Sequence, residues 1–122
     1  MEQLINDLFA ARDLAHKLHL ATKSFAKHLA LGDLYDALLE TADDIAEVYQ
    51  GKYGIMNLGH NTSMFNTPNA STMEPVGFVG SLAIWAEGQK STFSPADTHL
   101  LNMWDELLSK VYRAKYKLEN LA

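Results

Sequence analysis

Residues 24–49, SFAKHLALGDLYDALLETADDIAEVY, decide the fold. Ser24 suits the start of a helix, because its hydroxyl can accept from a free amide of the first turn. From there to about Tyr49 the apolar residues recur at helical spacing, with Phe25, His28, Leu31, Tyr35, Leu39, Ala42 and Ala46 as the predicted inward positions. Gly32 interrupts the run at a cost of about 1 kcal/mol relative to Ala and marks a kink or a close helix contact. One long amphipathic helix needs partners to bury its apolar face.

The flanks supply them. Upstream, residues 2–20 carry one stripe at Leu4, Leu8, Ala11, Ala15 and Leu18, and a neighbouring one at Ile5, Phe9, Arg12, His16 and His19. Thr22 marks the pause between the first two helices. Downstream, residues 51–71 hold Gly51, Gly54, Asn57, Gly59, Asn61, Asn66, Pro68 and Asn69, which break any period. Apolar residues persist there, so a packed loop is expected, long enough to be functional or an interface. Ser71 to Glu74 fits a capping box with Pro75 in the first turn of a third helix ending near Glu87. That helix is apolar nearly all round and should be buried, with Gly77 and Ser81 allowing close approach; a short buried strand is the alternative. Ser94 as cap, Pro95 and Asp97 open a fourth helix with Leu100, Leu101, Trp104, Leu107, Leu108, Val111 and Tyr112 inward. The expectation is one all-α domain over 1–122, a four-helix bundle with a long loop between its second and third helices.

Composition narrows the function. The chain has 122 residues, 10 Lys plus Arg against 15 Asp plus Glu, and a net charge of −5, which argues against gripping DNA by charge. It has no cysteine, which removes thiol catalysis and thiolate metal sites. No leader and no membrane-length apolar run is visible, so a cytoplasmic protein is expected. Phosphate-binding glycine loops and nucleophile elbows are absent from the text.

The polar residues on inward faces are His16, His28, Asp43 and Glu47, with His19, three residues from His16, as an auxiliary position. Asp43 lies about 60° round the helix from His28 and Glu47 about 100°, so all three share one half of it. Fifteen residues of rise separate His28 from Asp43 by about 22 Å. One metal ion, with ligand bonds of about 2 Å, cannot take both from one straight helix. Two copies packed antiparallel would bring His28 of one chain to Asp43 and Glu47 of the other. Imidazole with carboxylate suits iron, zinc or manganese.

The spacing His16 to His28 to Asp43 to Glu47, with Ser24-Phe25-Ala-Lys-His28, Tyr35-Asp36, Glu40 and Ala42-Asp43-Asp44-Ile45-Ala46-Glu47, resembles the Dps proteins, the mini-ferritins of starved bacteria. The likeness covers about residues 10–48 and departs at Lys17, Ala21-Thr22, Gly32 and Val48. It implies a ferritin-like bundle and a homo-oligomer built on a twofold dimer. It also implies ferroxidase activity on iron, the two histidines coming from one subunit and Asp43 and Glu47 from its mate. The wording Thr22-Lys-Ser-Phe-Ala-Lys-His28 with Tyr49-Gln-Gly-Lys-Tyr-Gly54 is similar to small phage-encoded proteins, read as reduced relatives of the same group. From another class comes the expectation of a phage structural or interaction protein that keeps the bundle without the chemistry and docks through the 51–71 loop.

Overall fold

The computed structural model describes residues 1–59, 62–67 and 69–122; His60, Asn61 and Pro68, read above as part of the loop, lie outside the described residues. Four helices carry the chain: α1 (Glu2–Ala21), α2 (Phe25–Tyr53), α3 (Pro75–Gly88) and α4 (Thr98–Asn120). Short 3-10 turns cover Ala70–Thr72 and Gln89–Thr92, and the described residues contain no strand. The third element is thus helical, not the buried strand.

Local chemistry sets most of the boundaries. Ser24 caps α2 by accepting from the Lys27 amide at 3.2 Å. At the other end α2 stops on Gly54, whose φ of +95° suits a residue without a Cβ. α3 opens at Pro75, where the missing amide costs no helical bond, and Glu74 accepts from the Val76 amide at 3.4 Å. The capping box expected at Ser71 is instead a separate 3-10 turn capped by Asn69. α4 starts later than its Ser94 signal. Residues 94–97 form a turn in which the Asp97 amide donates to the Ser94 carbonyl at 2.9 Å, and Asp97 is the cap position.

α1 packs on α2, α2 on α4, and α4 on α3. Polar contacts give the directions. Lys117 pairs with Asp33 near the start of α2, while Lys52 and Tyr53 at its end bind Asp97 at the start of α4, so these helices are antiparallel. Lys27 meets Glu74 at 3.7 Å, which puts the start of α3 beside the start of α2. α2 and α3 therefore run the same way, and the connection must return the length of the bundle. It does so along α1: Asn57 donates to Glu2, Thr62 accepts from Gln3, Phe65 lies by Leu14, and Met73 reaches Leu18 and Thr22.

The core is aliphatic around α1 and α2 and aromatic around α3 and α4. Leu4, Ile5, Leu8, Leu18, Leu31, Leu34, Leu38 and Ile45 are fully buried. Phe65, from the crossover, meets Phe78 and Trp85 edge-on at 6.1 and 5.3 Å. Trp85 packs on Trp104 at 5.6 Å, and the Trp104 indole donates to the Ala86 carbonyl at 2.8 Å. Residues 51–53 of the expected loop are the last turn of α2, and Met56 and Phe65 beyond it are buried.

Three expectations change. Phe25 is 68% exposed and Leu39 is exposed, because the buried stripe of α2 centres on Leu34 and Leu38 and leaves both on the opposite side. α3 is not buried all round: Ile84 is 78% exposed and Gly77 and Ser81 are exposed too, because α4 and the crossover cover only one side. Among the described residues no close helix contact uses Gly77, where a Cβ would meet none of them within 4 Å. On α4, Tyr112 is exposed and Leu101 only half-buried. Among the described residues no helix is long and apolar enough to cross a membrane.

Candidate functional site

The α1–α2 turn brings histidines together. His19 sits in the last turn of α1 and His28 in the first turn of α2. His19 Nδ1 lies 2.6 Å from the His28 carbonyl, and His28 Nδ1 lies 2.8 Å from the His19 carbonyl. A carbonyl oxygen only accepts, so Nδ1 carries the proton in both rings and Nε2 keeps the lone pair of the neutral form. The two rings stack, with centres 3.6 Å apart and planes 21° from parallel.

Tyr35 extends the cluster. Its ring stacks on His16 at 4.2 Å and 13° and meets His19 edge-on at 5.2 Å. The Arg12 guanidinium lies 5.5 Å from the same ring. Arg12, His16 and His19 are the second stripe of α1, turned toward α2. Gly32 explains how close this approach is. A Cβ there would stand 3.1 Å from His19 Cε1 and 3.2 Å from Nδ1, tighter than an ordinary contact. The interruption in α2 is the notch into which the His19 ring fits.

His16 and His28 are therefore in one half-buried cluster, with His19 in contact with both. Asp43 and Glu47 are elsewhere. Both are exposed, on the same unbroken helix, about 22 and 28 Å of rise beyond His28. No ion pair among the described residues engages either. Within one chain the described residues gather no three His, Asp or Glu side chains that could hold a metal ion. The placing of His19 was missed from the sequence. Its signal was Gly32, four residues after His28 and three before Tyr35.

A second polar cluster clasps the far end. Asp97, 2% exposed, accepts from Lys52 and from the Tyr53 hydroxyl at 2.5 Å. The Lys52 ammonium, then the Tyr53 hydroxyl, hold the Asp97 carboxyl below its usual range. The same carboxylate holds the Lys52 and Tyr53 values above theirs. This is a joint between α2 and α4, with one donor on each oxygen of its carboxylate.

Fold and cluster define an all-helical four-helix protein with a histidine-rich turn and a crossover between its second and third helices. The chain belongs to a family of unknown function, DUF5856, whose model matches residues 19–118. That span takes in His19, His28, Asp43 and Glu47 and leaves out His16. No curated protein and no solved structure matches the chain.

Proposed function

We propose that the chain is a Dps-like protein that binds and oxidises ferrous iron at the interface of a twofold dimer. In this reading His16 and His28 come from one protomer, and Asp43 and Glu47 from its mate. The observation that carries it is the splitting of the donor set. His28, beside the α1 imidazoles, stands at one end of α2, and two carboxylates that no ion pair among the described residues engages stand about 22 and 28 Å along it. An antiparallel pairing of α2 with its copy superposes the two halves. The register that sets His28 opposite Asp43 also sets Leu39 opposite Gly32, an exposed apolar side chain against a small one. Phe25 and Leu29, 68% and 54% exposed, lie on the same face. Lys17, Lys23 and Lys27 flank the histidine end and Asp43, Asp44 and Glu47 the other, while exposed Asp36 and Glu40 keep the middle of the face acidic. The single long crossover is the connectivity of ferritin-like bundles.

The residues fit the metal. Neutral imidazole nitrogens with carboxylates and no thiolate suit first-row divalent iron. Ferrous iron is the substrate, and each ion gives one electron to an oxidant. The protein's part is to hold the ion between lone pairs that the backbone has already oriented and to balance the added charge with carboxylates. Replacing Asp43 and Glu47 by Ala should abolish ferrous oxidation while leaving helical circular dichroism intact. Unchanged oxidation kinetics would contradict the reading.

A second reading is a structural or interaction protein, phage-borne, without chemistry. It is favoured by the absence of a three-ligand cluster among the described residues and by the bare apolar residues Ile55, Met64 and Ile84, 87%, 67% and 78% exposed. Size-exclusion with and without iron separates the two. A species that ignores iron and co-elutes with a larger assembly supports the second.

A further inference from the structure

The three histidines at the α1–α2 turn are not equivalent. His19 and His28 are stacked at 3.6 Å with nearly parallel planes. A ligand lone pair lies in the plane of its ring. Two rings stacked face to face cannot both aim at one ion held about 2.0–2.1 Å from each nitrogen. His19 and His28 are thus not a chelating pair.

His16 and His19 differ. Their ring centres are 5.9 Å apart and their planes 59° from parallel. With a metal–nitrogen bond of about 2.0–2.1 Å and the ring centre about 1.1 Å behind the nitrogen, two imidazoles on one ion have centres from about 5.2 Å apart at a tetrahedral angle to about 6.4 Å when opposed. The observed separation falls inside that range. The two residues stand three apart on one face of α1.

We propose that His16 and His19 form a chelating pair on α1 for a divalent first-row transition ion, and that His28 is a positioning residue that holds the His19 ring. This rests on the reading of the turn as a metal site and changes the ligand set, giving His19 the place assigned to His28. The His28 carbonyl fixes His19 as the Nδ1–H tautomer, so the lone pair of the neutral ring is on Nε2. The His28 ring covers one face of His19, and Gly32 leaves room for its edge. The Tyr35 ring covers one face of His16 in a stack of its own. Imidazole ligands suit zinc, nickel, copper and iron alike. The remaining positions on the ion go to water or to carboxylates of a second copy.

The test is calorimetric titration of the full chain with Zn2+ and Ni2+, in wild type and four variants. His19→Asn keeps an amide donor where Nδ1 stood and has no nitrogen at Nε2, so it keeps the bond to the His28 carbonyl and loses the ligand. It should weaken binding by about tenfold or more. His28→Ala should weaken binding, and His28→Phe, which restores a stacking ring, should recover it. The fourth variant is Asp43→Ala with Glu47→Ala. Loss in His19→Asn and in the carboxylate variant supports both this inference and the two-chain site. Loss in His19→Asn with wild-type binding in the carboxylate variant supports the inference and overturns the two-chain site. Wild-type binding in His19→Asn with loss in both His28 variants overturns the inference and leaves His16 with His28 as the pair. Absence of binding by the wild type overturns both.

Discussion

At the scale of single residues, the deciding fact is that two imidazoles donate to each other's carbonyls across a helix turn. This arrangement has a steric partner in Gly32. Gly32→Ala should gain about 1 kcal/mol of helix propensity. The new Cβ would press on a ring pinned by a hydrogen bond and a stack, so the gain should be cancelled. We expect a melting temperature no higher than wild type and a changed His19 nitrogen shift pattern. A rise of about 4 °C, the size of an uncancelled 1 kcal/mol, would show that the ring moves freely. Glycine inside a helix was visible in the sequence as an anomaly. What it accommodates was not, because that depends on how α1 is rotated against α2. The same rotation left Phe25 and Leu39 on the outside, away from the buried stripe centred on Leu34 and Leu38.

At the scale of elements, the helices were legible because each carries its own period and most carry their own punctuation. Ser24 acts as the sequence suggests. The start of α4 was misplaced for a non-local reason: the Asp97 carboxylate binds Lys52 and Tyr53, more than 40 residues upstream. That clasp has a definite pH dependence. A carboxyl held below its usual value adds stability that is present above the unfolded pKa, near 3.9, and is lost as pH falls through the folded one. Lys52, held above its usual value, contributes below the ordinary lysine range and loses its share as pH rises through its folded pKa. Asp97→Asn should lower the melting temperature at neutral pH and flatten its decline on acidification below about pH 4. An identical acid limb in the variant would show that other carboxyls carry it. The crossover is an element too, although it reads in the sequence only as a broken period with scattered apolar residues. Phe65→Ala should cost about 3–5 kcal/mol, as for any large buried aromatic. Met64→Ala, next to it and 67% exposed, should stay within about 0.5 kcal/mol. Equal losses in chemical denaturation would mean that Phe65 is not the anchor of the connection.

At the scale of the whole molecule, the four histidine and carboxylate positions proposed as iron ligands fall into two groups that one chain keeps apart. The sequence alone reveals this, since helical rise is arithmetic. It could not reveal the third histidine at the centre of the cluster, or the direction of α3, which contacts such as Lys27 with Glu74 and Trp85 with Trp104 fix. The function proposed belongs to a pair of chains. The exposed apolar residues of α2 are the features that would bring that pair together. In sedimentation, Phe25→Lys with Leu29→Lys should shift the dimer toward monomer, with helical content retained. The most direct measurement is anomalous scattering at the iron edge from crystals grown with ferrous iron under anaerobic conditions. The prediction is a peak between the histidine cluster of one chain and the Asp43–Glu47 pair of a twofold-related chain. A map with no peak there, and those carboxylates facing solvent, would contradict it.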